Sequence, residues 1–584
     1  MIKLFKNLNK KEYILMIIST IFIILQVYLE LKMPDYMSEI TRLVQTEGSI
    51  MKDIIINGGY MLLCAFGSLL SSIFVGYLIA NISSTFSLIT RKKIFDKVEM
   101  LGIGEVKEFK TSSLITRTTN DITQIEMFLG MGLQMLIKSP VTAVWAITKI
   151  LNKSWEWSSV TAAAVVILLA TVITITSIVV PKFKIVQKLI DKLNNITREN
   201  LSGIRVIRAF NAEDYQTKKF EDVNEKLTKQ LTFNQKMFSI MSPMMYLVMN
   251  FLNLSIYFIG AHLISNSLLA EKIAIFSNMI VFSSYAMQVI MSFLMLAAIF
   301  MMMPRANVSA KRINEVLDKE LSIKDGKIDK NITKEEGTVE FRNVSFMYDD
   351  AEEYVLEDIS FKVNKGETVA FIGSTGSGKS TLINLIPRFY DVTKGEILVD
   401  GVNIKDYKQS FLRNKLGYVS QKAVIFSGTV KSNVSYGDKK ITNEKVMEAL
   451  KMAEAEDFVL KMDDTYDAHL SQGGTNISGG QKQRLSIARA IAKEPEIYIF
   501  DDSFSALDYK TDSLVRKNLR KYAKNATVLI VAQRIGTVLN ADKIIVLDEG
   551  KCIGQGTHKE LMKNCEVYKQ IALSQLTKEE LENA

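Results

Sequence analysis

Cysteine is scarce in this chain, since 584 residues contain only Cys64, Cys552 and Cys565. Three scattered thiols form neither a disulfide framework nor a metal ligand set. Both kinds of site are therefore excluded. Because disulfides persist in oxidising compartments and are rare in the cytosol, this cysteine usage places the soluble parts of the chain in the cytoplasm.

Charged residues make up 23% of the chain, yet they are missing from long stretches of its first 304 residues. No Asp, Glu, Lys or Arg occurs in residues 13–29, 54–90, 157–181, 237–270 and 273–304. Residues 127–151 are apolar except for Lys138 and Lys149. A helix crosses a bilayer with about 20 apolar residues. The pattern predicts an all-α transmembrane domain of six helices over residues 1–304, and it excludes a wholly soluble or disordered chain.

Basic residues indicate how these spans are oriented. The net charge of +9 is compatible with nucleic-acid binding, but membrane proteins also collect Lys and Arg on their cytoplasmic side. The basic residues flanking the first two spans are Lys3, Lys6, Lys10, Lys11, Arg91, Lys92, Lys93 and Lys97. They predict that both termini are cytoplasmic. The outer loops are then short, and the inner connections are long and helix-patterned. We predict outer loops at about 34–53, 152–156 and Glu271, and inner connections at about 91–126 and 182–236.

Lys138 is a charge within an otherwise apolar span. Such a charge is costly at mid-bilayer and faces protein or water rather than lipid. One interpretation is a cavity-lining lysine that touches substrate. The other is a lysine that pairs with a neighbouring polar group or extends along its own helix. The sequence leaves both open.

After residue 304 the pattern becomes that of a soluble protein. Residues 305–337 are charged and polar, which predicts a helix tail and a linker. From 338 to 584, short β-branched runs alternate with Gly-rich turns and amphipathic helices, the pattern of an α/β domain. The chain is therefore predicted to be multidomain, with an α-helical membrane part followed by an α/β part.

Two motifs in the α/β part point to a nucleotide. Residues 373–380 match the P-loop pattern G-x-x-x-x-G-K-S between an apolar strand and a helix. Its backbone N–H groups close around phosphates, and the helix N-terminus adds positive potential. Lys379 is expected to bind the β- and γ-phosphates, and Ser380 to hold Mg²⁺. A second apolar strand ends at Asp501, which is placed to reach Mg²⁺ directly or through water.

A third motif, ISGGQKQRLSIARA at 477–490, lies between these two along the chain. With it, residues 338 to about 575 resemble the P-loop NTPase domain of ATP-binding cassette (ABC) transporters, and the six spans look like the exporter-type membrane domain. The resemblance implies ATP and Mg²⁺ as ligands. It also implies that segments near 114–121 and 208–215 are coupling helices that press on the cassettes.

Individual site residues are carried over from this resemblance. It implies that Tyr348 stacks on adenine, that Gln421 reaches Mg²⁺ beside Ser380 and Asp501, and that Asp508 belongs to the loop linking the two ATP sites. The P-loop residues implied to hold the nucleotide are Gly373, Ser374, Thr375, Gly376, Ser377, Gly378, Lys379, Ser380 and Thr381. The signature residues implied to contact the nucleotide of a partner subunit are Ser478, Gly479, Gly480 and Gln481.

Two residues depart from the family pattern at its catalytic positions. Asp502 stands where the family has Glu, and it is one methylene shorter than the usual general base. Gln533 stands where the family has a switch His, and Gln cannot carry the charge or shuttle the proton that His can. Small misplacements of a catalytic group can cost about 100-fold in rate. Together the changes predict a site that binds ATP but hydrolyses it poorly.

The signature is nearly intact, with Ile477 in place of Leu and Gln472 where an acid is common. Such a signature is useful to a partner that brings a competent site. We therefore predict one half of a heterodimeric, ATP-driven exporter of small amphipathic compounds in the plasma membrane, weakly active alone. The alternatives are an importer built on the same fold or a lipid or peptide exporter. A soluble cassette protein acting on nucleic acid is disfavoured by the six spans.

Overall fold

The computed structural model describes residues 1–6, 8–46, 48–151, 154–436, 438 and 440–577. The chain divides into two compact units, which are considered separately. The membrane unit comprises Met1–Glu99 and Thr111–Lys319, and the cassette unit comprises Met100–Lys110 and Glu320–Ala584.

Long helices build the membrane unit. In chain order, with α4 belonging to the cassette unit, the helices are α1 Ile2–Phe5, α2 Lys10–Gln45, α3 Met51–Met100, α4 Ile103–Phe109, α5 Thr111–Thr118, α6 Asn120–Met127, α7 Leu133–Leu151, α8 Trp155–Ala209, α9 Glu213–Ser265 and α10 Leu269–Leu317. A π-helical turn, Phe128–Gly132, joins α6 to α7. In the described part of the chain, six helical segments are long and apolar enough to cross a membrane. The predicted six-helix transmembrane domain is confirmed.

These helices extend further than their apolar runs. The prediction of an outer loop at 34–53 is wrong over most of its length, because α2 continues through Pro34 to Gln45. Backbone hydrogen bonds continue a helix whatever the polarity of its side chains, so the end of an apolar run does not end the helix. The inner connection at 182–236, which was predicted to be helix-patterned, is indeed almost wholly α8 and α9, with residues 210–212 between the two helices.

The predicted coupling segments fall at helix junctions. Residues 114–121 cover the end of α5 and the start of α6, which meet at Thr119. Residues 208–215 cover the turn between α8 and α9, where Phe210 and Tyr215 are exposed. Their role in coupling stays a prediction.

Lys138 is paired within the membrane unit. Its Nζ donates to Glu30 Oε1 at 2.9 Å, joining α7 to α2. The same oxygen accepts from Gln26 Nε2 at 2.9 Å and from Ser68 Oγ at 3.3 Å. The structure therefore supports the second interpretation of this lysine, a charge neutralised by a neighbouring helix.

A second polar cluster lies between one and two turns further along α2 and about three turns further along α7. Lys149 Nζ donates to Asp35 Oδ2 at 2.7 Å, and Tyr285 OH donates to Asp35 Oδ1 at 2.6 Å. Tyr285 is fully buried on α10. The two clusters tie α2 to α7 and α10 with hydrogen bonds inside the helix assembly.

The cassette unit is an α/β fold. Its strands are β1 Val339–Phe346, β2 Leu356–Val363, β3 Thr368–Gly373, β4 Lys394–Val399, β5 Val402–Asn403, β6 Leu416–Val419, β7 Gly428–Thr429, β8 His469–Leu470, β9 Ile497–Asp501, β10 Thr527–Val531, β11 Lys543–Asp548 and β12 Lys551–Gly556. Its remaining helices are α11 Lys379–Leu385, α12 Gln409–Asn414, α13 Val430–Val434, α14 Asn443–Met452, α15 Glu456–Val459, α16 Gly479–Ala492, α17 Tyr509–Tyr522, α18 Ile535–Val538, α19 His558–Asn564 and α20 Glu566–Gln575.

The main sheet has the order β12-β11-β3-β10-β9-β6, with β12 antiparallel to the parallel remainder. Side chains alternate between its two faces. On β3, Ile372 packs into one apolar core while Phe371 packs into the other. A sheet buried on both faces is typical of parallel strands covered by helices. A second, antiparallel sheet has the order β2-β1-β4-β5.

The candidate site lies at one edge of the main sheet. Strands β3, β9 and β10 are neighbours and run parallel, so their carboxyl ends meet there. These ends lead into the P-loop, into Asp501 and Asp502, and into Gln533, respectively. Ligands of open α/β sheets bind outside this edge.

Candidate nucleotide-binding site

The P-loop turns sharply between β3 and α11. Gly376 and Gly378 have φ angles of +88° and +91°, which side chains rarely adopt. A Cβ at Gly376 would meet no atom within 4 Å, so the loop leaves open space on that side. Ser374, Thr375 and Gly376 are exposed at its crest. The loop therefore presents backbone to an open hollow, as a phosphate cradle does.

Lys379 is folded back onto this loop. Its Nζ donates to the carbonyl oxygens of Gly373 and Ser374 at 3.0 and 2.6 Å, and to Ser377 Oγ at 3.2 Å. Burial lowers the pKa of Lys379, partly opposed by the nearby carboxylates of Asp502 and Asp501. The ammonium is thus held at the mouth of the hollow, where a phosphate oxygen would replace some of its loop contacts.

Ser380 and Asp501 form the oxygen pair expected for Mg²⁺. Ser380 Oγ donates to Asp501 Oδ1 at 2.7 Å. Burial raises the pKa of Asp501, and neighbouring Asp502 raises it further. Hard oxygen ligands of this kind suit Mg²⁺. The pair fits the predicted ion, which when bound would neutralise phosphate charge.

Asp502 is held by two glutamines. Its Oδ2 accepts from Gln533 Nε2 at 2.7 Å and from Gln421 Nε2 at 3.1 Å. The residue is 6% exposed, and burial raises the pKa of its carboxyl group. Both predicted catalytic residues therefore meet, but as a donor and an acceptor in one amide–carboxylate cluster.

Tyr348 lies beside the P-loop helix. A hydrogen bond of 3.0 Å joins its hydroxyl to Thr381 Oγ1, and Tyr390 packs perpendicular to its ring at 5.3 Å. Lys107 of α4 places its Nζ 5.5 Å from the Tyr348 ring centroid. Sequence reasoning missed Lys107, because it lies 241 positions earlier in the inner connection of the membrane half and belongs to no motif.

The signature residues form a separate cluster. Ser478 is the N-cap of α16, and its side chain and that of Gln481 form a reciprocal capping box. This leaves the first turn of α16 with its backbone N–H groups at a well-formed helix start. A Cβ on Gly480 would lie 3.4 Å from the carbonyl oxygen of Ala506, so the signature borders the loop leading to Asp508, the N-cap of α17.

Comparisons with known proteins agree with this geometry. Residues 356–505 match the family described as ABC transporter, and residues 16–320 match the ABC transporter transmembrane region. An uncharacterized ABC transporter ATP-binding protein of Mycobacterium tuberculosis is 36% identical over 521 residues, covering 88% of this chain and 87% of that protein. A Staphylococcus aureus protein, provisionally named a multidrug export ATP-binding/permease protein, is 33% identical over 489 residues, with 82% of each chain covered.

Among solved structures, a bacterial Atm1-family ABC exporter with ATP bound has the same fold, with a TM-score of 0.81 at 22% identity. The alignment covers 96% of this chain and 98% of that one. The chain belongs to the ABC transporter family. It is a multi-pass membrane protein in which a membrane domain and an ATP-binding domain are fused.

Proposed function

We propose that this chain is the degenerate-site half of a heterodimeric ABC exporter. The observation that carries the proposal is the pairing of Asp502 with Gln533 and Gln421 on a single carboxylate oxygen. In this arrangement the site binds ATP and Mg²⁺ through the P-loop, Ser380 and Asp501, but it hydrolyses ATP slowly.

The chemistry of the pairing supports slow hydrolysis. A general base must reach the proton of the attacking water with a lone pair that is not already engaged. On Asp502, Oδ2 already accepts two amide N–H groups, and the side chain is shorter than glutamate. Gln533 donates a hydrogen bond but cannot take up a proton at neutral pH. The two amides hold the carboxylate by Oδ2 and leave Oδ1 to accept a proton, but the shorter side chain keeps Oδ1 further from the attacking water than a glutamate would.

A heterodimer follows from the contrast between this cluster and the signature. In the family arrangement, a signature acts on the nucleotide bound by the other subunit. Ser478 and Gln481 start α16 with both capping bonds made. An ordered signature facing a slow site in a homodimer would have little use, whereas a partner with Glu and His at the two altered positions would use it fully.

Direction, location and cargo complete the proposal. The positive-inside pattern favours cytoplasmic cassettes and termini in a plasma membrane. The S. aureus relative is named for multidrug export. Export of small amphipathic compounds fits this name and the exporter-type fold. Within the described residues, no specific contact favours the alternatives, an importer on this fold or a lipid or peptide exporter.

Restoring the family residues tests the proposal. Purified alone in nanodiscs, the wild-type chain is expected to show little ATPase activity, and Asp502→Glu combined with Gln533→His is expected to raise it at least about tenfold, since general-base catalysis contributes about 10²–10⁴. Lys379→Ala in the restored chain is the matched control for contaminating ATPase. Brisk hydrolysis by the wild-type chain, abolished by Asp502→Asn, would refute the proposal.

A further inference from the structure

A cavity of about 440 Å³ opens among the ends of four helices of the membrane unit. It lies where α7 leads into α8 and α9 leads into α10, the end opposite the one from which α10 leads into the cassette. Its volume is within the range of about 300–1,000 Å³ typical of small-molecule sites. The lining residues used below are Leu151, Ser154, Trp155, Glu156, Leu263 and Ile275.

The cavity combines one carboxylate with an aromatic face and apolar walls. Among its lining residues, all of which are described, Glu156 is the charged one. Ser154 Oγ donates to Glu156 Oε2 at 2.5 Å, which orients the carboxylate. Leu151, Leu263 and Ile275 supply apolar surface.

Two neighbouring tryptophans have different roles here. Trp157 is 2% exposed, and its Nε1 donates to the carbonyl oxygen of Ile256, so it belongs to the helix core. Trp155 is 76% exposed and offers its indole to the cavity that it lines. Tryptophan is common at membrane interfaces, and that habit alone accounts for its position. The carboxylate of Glu156 stands beside it, so the two side chains together offer the cavity a charge and an aromatic face.

The carboxylate, the indole and the apolar walls of the cavity determine which kind of ligand it can bind. Glu156 stands in the first turn of α8 and accepts from Ser154, so its carboxylate is stable as an anion and offers a negative charge to an approaching cation. An indole face attracts cations through its quadrupole, and quaternary ammonium ligands are recognised in this way. We propose that the α7–α10 cavity binds hydrophobic organic cations, with Glu156 supplying the charge and Trp155 the aromatic face.

The role of this site in transport rests on the proposed function, which places it at the outer face of an exporter. A site at that end is suited to holding a cation that has left the membrane domain. Binding itself depends neither on ATP nor on a partner subunit. The inference and the proposed function can therefore fail separately.

Equilibrium binding to the full chain in nanodiscs, without nucleotide, tests the site. The probes are tetraphenylphosphonium and tetraphenylborate, which share shape and differ in charge. Glu156→Gln is expected to weaken tetraphenylphosphonium binding about tenfold and to leave tetraphenylborate binding unchanged or tighter. Trp155→Ala is expected to weaken the cation two- to fivefold, from about 0.5–1 kcal/mol for an exposed cation–π contact.

Two further variants test whether a loss of binding comes from the missing charge at Glu156 or from misfolding of the chain. Glu156→Asp keeps the charge and is expected to retain most of the affinity. Glu271→Gln removes an acid from the start of α10 that does not line the cavity, and it is expected to change nothing. Equal affinities of wild-type and Glu156→Gln chains for the cation would overturn the inference, as would an equal loss for both probes.

A choline lipid headgroup carries the same chemistry as a free organic cation. Competition by short-chain phosphatidylcholine at fixed tetraphenylphosphonium would identify lipid as the native occupant. Absence of competition would assign the site to free hydrophobic cations. Unchanged binding in a chain that hydrolyses ATP briskly alone would leave this site standing and refute the heterodimer.

Discussion

Replacing Lys138 with alanine removes the cation that neutralises Glu30 inside the membrane unit. In the wild-type chain, Lys138 Nζ lies 2.9 Å from Glu30 Oε1, and the two side chains are 19% and 25% exposed. After the substitution, Gln26 and Ser68 remain as donors to the carboxylate. Two neutral donors do not balance a full negative charge among apolar helices.

The distance sets the size of the expected effect. At an effective dielectric constant of about 20, two unit charges 2.9 Å apart attract by about 6 kcal/mol. Desolvation of both ions offsets much of this attraction, and breaking a buried pair by removing one partner costs about 3–5 kcal/mol. Because both side chains are partly exposed, we expect Lys138→Ala to lower the free energy of unfolding by about 2–3 kcal/mol. Adding Glu30→Gln is expected to recover at least half of the loss.

A double-mutant cycle in detergent, followed by denaturant unfolding, measures this coupling. Transport of cationic, neutral and anionic dyes is measured in parallel. A lysine that only neutralises Glu30 predicts an equal loss for all three dyes in Lys138→Ala and joint recovery in the double variant. Additive stability effects, or a change of dye preference that survives in the double variant, would refute the ion-pair account and indicate substrate contact.

Three further predictions concern the nucleotide site. In the heterodimer, Gly480→Asp is expected to nearly abolish ATP turnover at saturating MgATP, because the new carboxylate faces the γ-phosphate of the partner's nucleotide. Lys379→Ala is expected to slow transport but to leave measurable hydrolysis. The reverse pattern would mean that the site formed by this chain's P-loop is the one that hydrolyses ATP. Lys107→Met is expected to tighten ATP binding by the isolated chain two- to fivefold in a nucleotide titration, because the Lys107 ammonium competes with adenine for the Tyr348 ring. An exposed cation–π contact of this kind contributes about 0.5–1 kcal/mol. Weaker ATP binding would show that Lys107 positions the ring instead. Burial raises the pKa of Asp502 in the folded state, so the folded protein is destabilised at pH values where this carboxyl group must ionise and is not destabilised below the unfolded pKa of about 3.9. Asp502→Asn is therefore expected to raise the Tm of the nucleotide-free chain at pH 7, and the gain is expected to shrink as the pH falls. A gain in Tm that does not change with pH would contradict this.

The parts of this protein that depend on neighbours in the chain could be read from its sequence. The length of each apolar run predicts a membrane span, because the bilayer imposes a thickness on every helix. The P-loop is a turn between a strand, Thr368–Gly373, and a helix, Lys379–Leu385, that are close in the chain, so its glycines and Lys379 define a local structure. The ends of the helices were not predictable from polarity, and α2 therefore continues into the expected loop at 34–53 as far as Gln45.

Other features were decided only by tertiary structure, because they join residues that are remote in the chain. Asp502 meets Gln421 across 81 positions and Gln533 across 31, so two unusual residues become one hydrogen-bonded cluster. Glu30 lies just beyond its apolar run and pairs with Lys138 across 108 positions. The sequence shows each of these charged and amide residues, but it does not show which of them form pairs. Packing of the helices and alignment of parallel strand ends determine which of them come within hydrogen-bonding distance.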